Sequence, residues 1–347
     1  MQYFGERLKA ARKIKGWSLQ DLANQTANSI TKQALSKYEA DVMHPSRKIL
    51  LLLSAALGVK PGYFEGQPAF RLPDFEFPRK GNVPSKQIDS IKEKVKGVLE
   101  RYLQAESLLN MPVRFSNPLK TFPVADETAA AAIAVRLLDK WNLGKGPIHN
   151  ITGMLEEKSI RVIEVDAPVT FDALSAWIDK VPLIVLHQDR LADIKRYHAL
   201  YELGQLLLTV PATADKDRIC QTFAAAMLLP GDTLESLLGA KRTAIAPGEL
   251  ICIKEQYGLP MQVILKHAIF KDIIDRKETG AFFRMVMENK DEAGLGCYTG
   301  QEKTGRFDRM VRRLMAEEVI PAQKAEALTG IPEEALKRQL EVFAGVS

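Results

Sequence analysis

The sequence predicts a mostly helical α+β protein. Apolar residues recur at helical spacing through most of the chain, whereas only three short segments, at 161–164, 174–178 and 183–186, favour strands. The 347 residues suffice for two or three domains, and 46% hydrophobic with 26% charged residues is typical of a globular protein. We therefore expect an all-α N-terminal domain, a linker helix, an α+β domain with a small sheet, and a helical C-terminal extension.

The predicted boundaries divide the chain into four segments. Residues 1–66 form the N-terminal domain, residues 67–125 a linker with an amphipathic helix, residues 126–300 the α+β domain, and residues 301–347 a helical tail. Residues 67–83 are rich in proline and contain a turn-forming Arg-Lys-Gly-Asn, which is typical of a linker.

Composition excludes several classes of function. No apolar run approaches eighteen residues, and the N-terminus lacks an apolar signal region, so we expect a cytoplasmic protein without membrane contact. Glycine-rich phosphate-binding motifs are missing from the sequence, so we expect no nucleotide and no other cofactor. The wide spacing of Cys220, Cys252 and Cys297 indicates neither a disulfide framework nor a zinc ribbon, and we expect buried thiols.

Positive charge is concentrated at the N-terminus. The whole chain carries a net charge of +5, and residues 1–66 alone hold ten Lys or Arg against five Asp or Glu. The remaining residues therefore sum to about zero. A basic N-terminal domain on a neutral body indicates an anionic partner for that domain.

Residues 1–66 carry the pattern of five short helices. Phe4, Leu8 and Ala11 give the first apolar stripe, and small polar residues stand before the later helices. A side-chain oxygen at such a position accepts a hydrogen bond from a free backbone N–H of the first turn. The residues expected to cap helices in this way are Ser18, Thr31, Ser46 and, in the α+β domain, Asp126.

This pattern resembles the helix-turn-helix of the Cro and lambda-repressor superfamily, often called the XRE family. The matching segments are residues 7–12, 16–23, 35–39, 45–46 and 53–59. The resemblance implies that the second helix crosses the backbone of duplex DNA and that the third enters the major groove. Two features depart from the family. Leu19 stands where the family has a bracing Gln, and the turn between the second and third helices is longer.

The resemblance also assigns the residues that contact DNA. Gln33 can bond adenine with two hydrogen bonds, and Lys32 or Lys37 can reach guanine or phosphate. The alternative is a polar helix face that meets only water. The predicted DNA-binding residues are Ser18, Gln20, Thr31, Lys32, Gln33, Ser36 and Lys37.

A long helix is predicted from residue 85 to about residue 109. Its apolar residues, from Ile88 to Tyr102, lie near a seven-residue period, with charged residues outside the stripe. The stripe either packs on its own chain or joins two copies. A homodimer would suit a DNA-binding protein that reads two half-sites.

The stretch 196–208 organises the α+β domain, because its leucines predict one buried helix. Arg196, Glu202, Leu203 and Gly204 fall in a frame that resembles the ImmA/IrrE family of metallopeptidase-like proteins. That family carries Arg-x-x-x-x-His-Glu-Leu-Gly-His-Leu-Leu, in which the two His bind zinc and the Glu is a general base. A second resembling block, at residues 219–230, supplies the family's third ligand.

The resemblance implies a zincin-like fold, but the zinc ligands have changed. Tyr201 and Gln205 stand at the two His positions and Ile219 stands at the Glu position, and these residues bind zinc poorly or not at all. We expect no metal and no catalysis. A displaced site at His198 and Glu202 is the alternative. The residues predicted to line a vestigial active-site pocket are His198, Tyr201, Glu202, Gln205 and Ile219.

These observations predict a sequence-specific, DNA-binding transcriptional regulator that acts as a repressor, as the antitoxin of a toxin–antitoxin pair, or as both. Its inactive peptidase-like domain would bind a partner or ligand. The predicted partners are double-stranded operator DNA, a toxin or another protein, and a second copy of the chain. Two alternatives stay open, namely an active metallopeptidase that cleaves a repressor and an antitoxin that acts mainly by masking a toxin.

Overall fold

A computed structural model of the chain describes residues 3–64, 84–111, 113–120, 122–289 and 292–344. These residues form two compact units. The first comprises Met1–Pro112 together with Phe307–Ser347, and the second comprises Val113–Arg306. The predicted proline-rich linker at 67–83 lies outside the described residues.

The mostly helical class with a small sheet is confirmed. The first unit begins with α1 (Phe4–Ile14), α2 (Leu19–Gln25), α3 (Lys32–Glu39), α4 (Arg47–Leu57), a 3₁₀ turn (Pro61–Phe64) and α5 (Ser85–Leu108). The second unit contains α6 (Glu127–Trp141), α7 (Ile151–Glu157), β1 (Arg161–Val165), β2 (Ala173–Ile178), β3 (Val181–His187), α8 (Ala192–Leu207), α9 (Lys216–Leu228), α10 (Gly231–Leu238), α11 (Pro247–Tyr257), α12 (Met261–Phe270), a 3₁₀ turn (Arg276–Thr279) and α13 (Gly280–Glu288). The chain ends with α14 (Arg306–Ala316), α15 (Ala322–Thr329) and α16 (Glu333–Ala344). In the described part of the chain, no helix is both long enough and apolar enough to cross a membrane.

The predicted helix caps are confirmed. At each of the four positions the side-chain oxygen accepts a hydrogen bond from the backbone N–H three residues further on, which satisfies one free donor of the first turn. These caps are Ser18 on α2, Thr31 on α3, Ser46 on α4 and Asp126 on α6.

Two contacts fix α3 against α1. An added Cβ on Gly5 would lie 2.5 Å from the backbone oxygen of Glu39, so only glycine allows this approach. Arg12 also donates two hydrogen bonds to the Glu39 carboxylate, at 2.5 and 2.7 Å, and both side chains are largely buried. A bidentate pair of this kind sets an orientation as well as a distance. The position of α3 is therefore determined by α1.

The long helix α5 packs against α1 of its own chain. Arg7 pairs with Glu100 at 3.3 Å and Lys13 with Asp89 at 3.1 Å, so the two helices run antiparallel. The buried residues of α5 are Ile91, Val95, Leu99, Tyr102, Ala105 and Glu106. Of the two predictions for this stripe, packing on its own chain is confirmed, and the homodimer stays a prediction.

The C-terminal tail contains three helices, α14 to α16. Gly330 ends α15 in the left-handed region, with a φ of 75°, and Pro332 stands directly before α16. Together they separate α15 from α16. The three helices share a core with Tyr102, which stacks on Phe307 at 5.7 Å between ring centroids.

The second unit contains a three-stranded sheet of order β1-β3-β2. β1 pairs with β3 in parallel, and β2 pairs with β3 as an antiparallel hairpin. Asp179 in the hairpin turn has a φ of 55°. All seven residues of the central strand β3 are buried. The three predicted strands are confirmed, with ends that extend by one or two residues.

Helix α8 packs against strands β2 and β3 of this sheet, and α9 packs against α8. An added Cβ on Gly204 would lie 3.1 Å from Phe223 and 3.3 Å from Cys220, so this glycine allows α9 to approach α8 closely. The predicted burial of the leucines is also confirmed, because Leu203, Leu207 and Leu208 are 0%, 1% and 7% exposed. The prediction for the thiols holds only in part, because Cys220 is buried whereas Cys252 and Cys297 are exposed.

Two Gly→Ala variants test the packing of the first unit. We expect Gly5→Ala to destabilise α1 and α3 by about 1–3 kcal/mol, because the methyl group overlaps the backbone of α3. Gly97→Ala in α5 is the matched control. Its Cβ meets nothing within 4 Å, so the variant should stabilise its helix by about 0.5–1 kcal/mol. Hydrogen exchange of the helix amides measures both effects, and equal protection in the two variants would contradict the close approach.

Candidate functional site

The predicted DNA-binding residues lie on the exposed side of α2 and α3. All seven are exposed, whereas Leu35 and Tyr38, on the opposite side of α3, are buried. Within the described residues, the side chains of Lys32, Gln33, Ser36 and Lys37 make no hydrogen bond or ion pair. They form a face of α3 whose side-chain donors and acceptors have no partner in the part of the chain that the structure describes.

The start of α2 is held by a reciprocal capping arrangement. The Ser18 hydroxyl accepts from the Asp21 backbone N–H at 3.1 Å, and the Asp21 carboxylate accepts from the Ser18 backbone N–H at 2.7 Å. The Ser18 backbone and hydroxyl, followed by Lys86, lower the pKa of Asp21 to about 2. Gln20 instead bonds Asn24 at 3.0 Å on the surface. Ser18 thus caps α2 with its hydroxyl oxygen, and its hydroxyl proton can still be donated to another acceptor.

The turn between α2 and α3 has an unusual backbone. Ala27 and Asn28 have φ values of 50° and 57°, in the left-handed region that few residues other than glycine adopt. Buried Thr26 donates its hydroxyl to the Ala23 carbonyl at 2.8 Å, and Ile30 is buried in the core of the helices. The hydrogen bond of Thr26 and the burial of Ile30 therefore stabilise the longer turn that the sequence predicted.

Leu19 has a structural role in place of the expected Gln. It is partly buried and packs against the apolar core of α1 to α4. Apolar packing at this position replaces the polar bracing that the resemblance implied. The bracing of α3 comes instead from Arg12 and Glu39, which lie on α1 and α3.

In the second unit, α8 carries a fully buried guanidinium. Arg196 is 0% exposed and forms an ion pair with Glu302. The same guanidinium donates to the carbonyls of Ile148 at 2.6 Å, Gly258 at 2.9 Å and Tyr257 at 3.0 Å. Glu302 also accepts the backbone N–H groups at the start of α7, at 2.9 and 3.0 Å. The helix α8 is thus held by a structural ion pair.

A second buried cation repeats this arrangement. Lys254 on α11 lies 2.9 Å from Glu292 and 3.3 Å from Asp193. Burial lowers the pKa of Lys254, but the hydrogen bond from Lys254 to Glu292 and the two carboxylate charges outweigh it and raise the pKa above its ordinary value. Glu292 also accepts the first backbone N–H groups of α12. Lys254 is therefore a fixed positive charge.

Two of the predicted pocket residues are joined by a hydrogen bond. Gln205 donates to the Tyr201 hydroxyl at 2.8 Å, and that hydroxyl donates to Asp217 on α9. Partial burial and the bond to Asp217 raise the pKa of Tyr201. The Asp217 carboxylate also accepts from Gln221 at 2.6 Å. Tyr201 and Gln205 thus belong to one hydrogen-bonded cluster with Asp217 and Gln221.

The other three predicted pocket residues differ in exposure. Glu202 is 0% exposed and accepts from the Ser175 hydroxyl on β2 at 2.6 Å. Ile219 is buried in the apolar core of the unit. His198 is half-buried, with its Nε2 atom 3.7 Å from Asp172 and its ring centroid 6.4 Å from that of Tyr201. The predicted pocket residues that reach solvent are therefore His198, Tyr201 and Gln205.

Several important residues were not found from the sequence. Asp217 and Gln221 are four residues apart on α9, and this spacing was a signal for a polar helix face. Ser175 and Glu302 have no local signal, because their partners are 27 and 106 residues away. Among the described residues, no three His, Cys, Asp or Glu side chains are grouped so as to hold a metal ion.

Comparison with known proteins supports the predicted helix-turn-helix domain at the N-terminus. Residues 8–64 match the family model described as Helix-turn-helix. They form a helix-turn-helix domain. The chain is also similar to the SPbeta prophage-derived uncharacterized HTH-type transcriptional regulator YonR of Bacillus subtilis (strain 168), with 43% identity over 60 residues. That match covers 17% of this chain and 54% of the relative, so the chain spans about half of the relative's length. No solved structure matches the chain.

Removal of Glu302 tests the importance of the buried ion pair. We expect Glu302→Ala to destabilise the second unit by about 3–5 kcal/mol, because it leaves the Arg196 charge buried without its partner. Glu235→Ala removes an exposed carboxylate from α10 and should change stability by less than about 0.5 kcal/mol. Hydrogen exchange of α7 and α8 gives the measurement. A small effect of Glu302→Ala would show that the pair is not a main source of stability.

Proposed function

We propose that this protein is a DNA-binding transcriptional regulator in which α3 reads base edges in the major groove. The observation that carries the proposal is the exposed face of Lys32, Gln33, Ser36 and Lys37 within a helix-turn-helix domain. The similarity to a protein named as a transcriptional regulator supports it.

Geometry and charge both support this assignment. Side chains that make no internal bonds enter a DNA complex without first breaking any, so their donors are available to bases and phosphates. Residues 1–66 carry twice as many basic as acidic residues, ten against five, which attracts the phosphate backbone. Ser18 and Gln20, at the start of α2, would contact phosphate, while Thr31 caps α3 and sets its entry into the groove.

For the second unit we propose a peptidase-like scaffold that has lost its chemistry and gives the regulator a place for a ligand or protein partner. Tyr201, Gln205 and Ile219 at the ligand positions support this proposal, since none offers an imidazole, carboxylate or thiolate to zinc. Repression and an antitoxin role both use the same DNA-binding step, so α3 is central to either.

A double substitution tests the DNA-binding helix. The double variant Gln33→Ala, Lys37→Ala should bind more weakly to the DNA upstream of the protein's own coding sequence. Each lost hydrogen-bonded contact with a base should cost about 1–3 kcal/mol of binding free energy. Affinity of the unmodified protein should also fall steeply with salt concentration, because each phosphate contact releases counterions. Mobility-shift titrations at two salt concentrations measure both effects.

The matched control removes one Gln and one Lys outside the helix-turn-helix domain. Gln301→Ala with Lys303→Ala changes the net charge equally, and both residues are exposed. This control should bind DNA as tightly as the unmodified chain. If the Gln33 and Lys37 variant also binds with unchanged affinity, α3 is not the reading helix.

Elemental analysis tests the proposed loss of zinc chemistry. Bound zinc lowers the pKa of its water from ~16 toward ~7, and the chain lacks the side chains that hold such an ion in the family frame. We expect protein purified without chelator to carry no stoichiometric zinc. Stoichiometric zinc that disappears in Glu202→Ala or His198→Ala would revive the peptidase alternative.

A further inference from the structure

The helix that follows the helix-turn-helix domain brings a cation to the start of α2. Lys86, the second residue of α5, lies outside the matched residues 8–64 and places its Nζ atom 3.2 Å from Oδ2 of Asp21. We propose that Lys86 contacts a backbone phosphate of bound duplex DNA beside Ser18 and Gln20. The DNA-binding surface would then include α5. This inference rests on the proposed DNA-binding function.

One carboxylate oxygen joins Lys86 to the start of α2. Oδ2 of Asp21 accepts from the Ser18 backbone N–H at 2.7 Å, and the same oxygen accepts from the Lys86 ammonium. A single oxygen atom therefore stands between the ammonium and the backbone of Ser18. The side chain of Lys86 is 58% exposed, so it can turn toward a phosphate that Ser18 contacts.

Other contacts fix the start of α5 on the domain. The Ser90 hydroxyl donates to the Ile14 carbonyl, at the end of α1, at 2.7 Å. Asp89 pairs with Lys13 of α1 at 3.1 Å. An exposed ion pair alone holds little, but the bond from Ser90 satisfies a carbonyl that α1 leaves free at its end. The position of Lys86 beside α2 is therefore set by the packing of α5 on α1.

The charges at this point favour a cation that faces DNA. Hydrogen bonds from Ser18 lower the pKa of Asp21 to about 2, so its carboxylate is ionised at neutral pH. A negative charge beside phosphate-contacting side chains opposes DNA binding, because like charges repel. The Lys86 ammonium offsets this charge and has three N–H donors, of which one bonds Asp21. The other two have no partner in the described part of the chain, so they are available to phosphate oxygens.

Salt titrations of DNA binding by the full chain test the contact. The variant is Lys86→Gln. The probes are duplex DNA from upstream of the protein's own coding sequence and a duplex with the same bases in shuffled order, each followed by fluorescence anisotropy. Loss of one phosphate contact should reduce the slope of log affinity against log salt by about 0.9 and weaken binding about eightfold at roughly 0.1 M salt. The loss should be equal on both duplexes, because phosphates carry no sequence information.

Two controls separate a phosphate contact from a structural effect. Lys145→Gln breaks a similar exposed ion pair in the second unit, between Lys145 and Asp232 at 3.4 Å, and should leave the slope unchanged. Lys86→Arg retains the charge and should keep the slope of the unmodified chain. The melting temperature of Lys86→Gln should also be unchanged, since an exposed ion pair contributes little to stability.

An Asp21→Asn background separates a phosphate contact from simple neutralisation of Asp21. Asparagine can still accept the Ser18 backbone N–H, but it carries no charge. In this background, Lys86→Gln should again reduce the slope by about 0.9. If the substitution has no effect there, Lys86 only neutralises Asp21 and the proposal is overturned.

Three further results would overturn the proposal. These are an unchanged slope in Lys86→Gln, an equal loss in Lys145→Gln, and a loss confined to the upstream duplex, which would assign Lys86 to a base edge. Failure of the unmodified chain to bind either duplex would remove the proposed function as well. Weaker binding by the Gln33 and Lys37 variant together with an unchanged Lys86→Gln would remove this inference alone.

Discussion

The second unit depends on the burial of one guanidinium. Arg196 uses its Nε atom and both terminal nitrogens, and its acceptors come from the segments before α7, after α11 and around Glu302. A buried charge without such partners would cost several kcal/mol, so these segments have to converge on α8. The ring of Tyr298 covers the guanidinium at 4.5 Å, which completes its enclosure. The orientation of α8 follows from this arrangement.

Buried pairs of opposite charge also hold the ends of other helices. Glu302 accepts from the first turn of α7, and Glu292 accepts from the first turn of α12, while each carboxylate also pairs with a buried cation. A helix N-terminus favours negative charge, and a nearby cation prevents that charge from being isolated. In the first unit, Arg12 and Glu39 link α1 to α3 by the same kind of charged hydrogen bond. Placement of elements thus relies on a few buried charges in addition to apolar packing.

Features that depend on neighbouring residues were predicted well from the sequence. Ser18 and Thr31 cap their helices because the capping bond spans three residues. The apolar stripe of α5 was also predicted from the sequence. Its packing partner α1 was not, because the two helices are far apart in the sequence. In the candidate site, the bond between Glu202 and Ser175 crosses from a helix to a strand, so no local pattern indicates it. A cavity of about 530 Å³ in the second unit is lined by residues of α6, α8, α9, α12 and α13, and no local spacing in the sequence predicts it.

The contacts along α8 show which of its residues hold the second unit together. Arg196, Leu203 and Gly204 serve the fold, through the buried ion pair, the apolar core and the contact with α9. Glu202 accepts a hydrogen bond from a serine hydroxyl in the interior. Tyr201 is partly exposed and bonds a carboxylate of α9 at the edge of the core. The buried contacts that orient α8 are therefore separate from the polar cluster of Tyr201 and Gln205 at its edge.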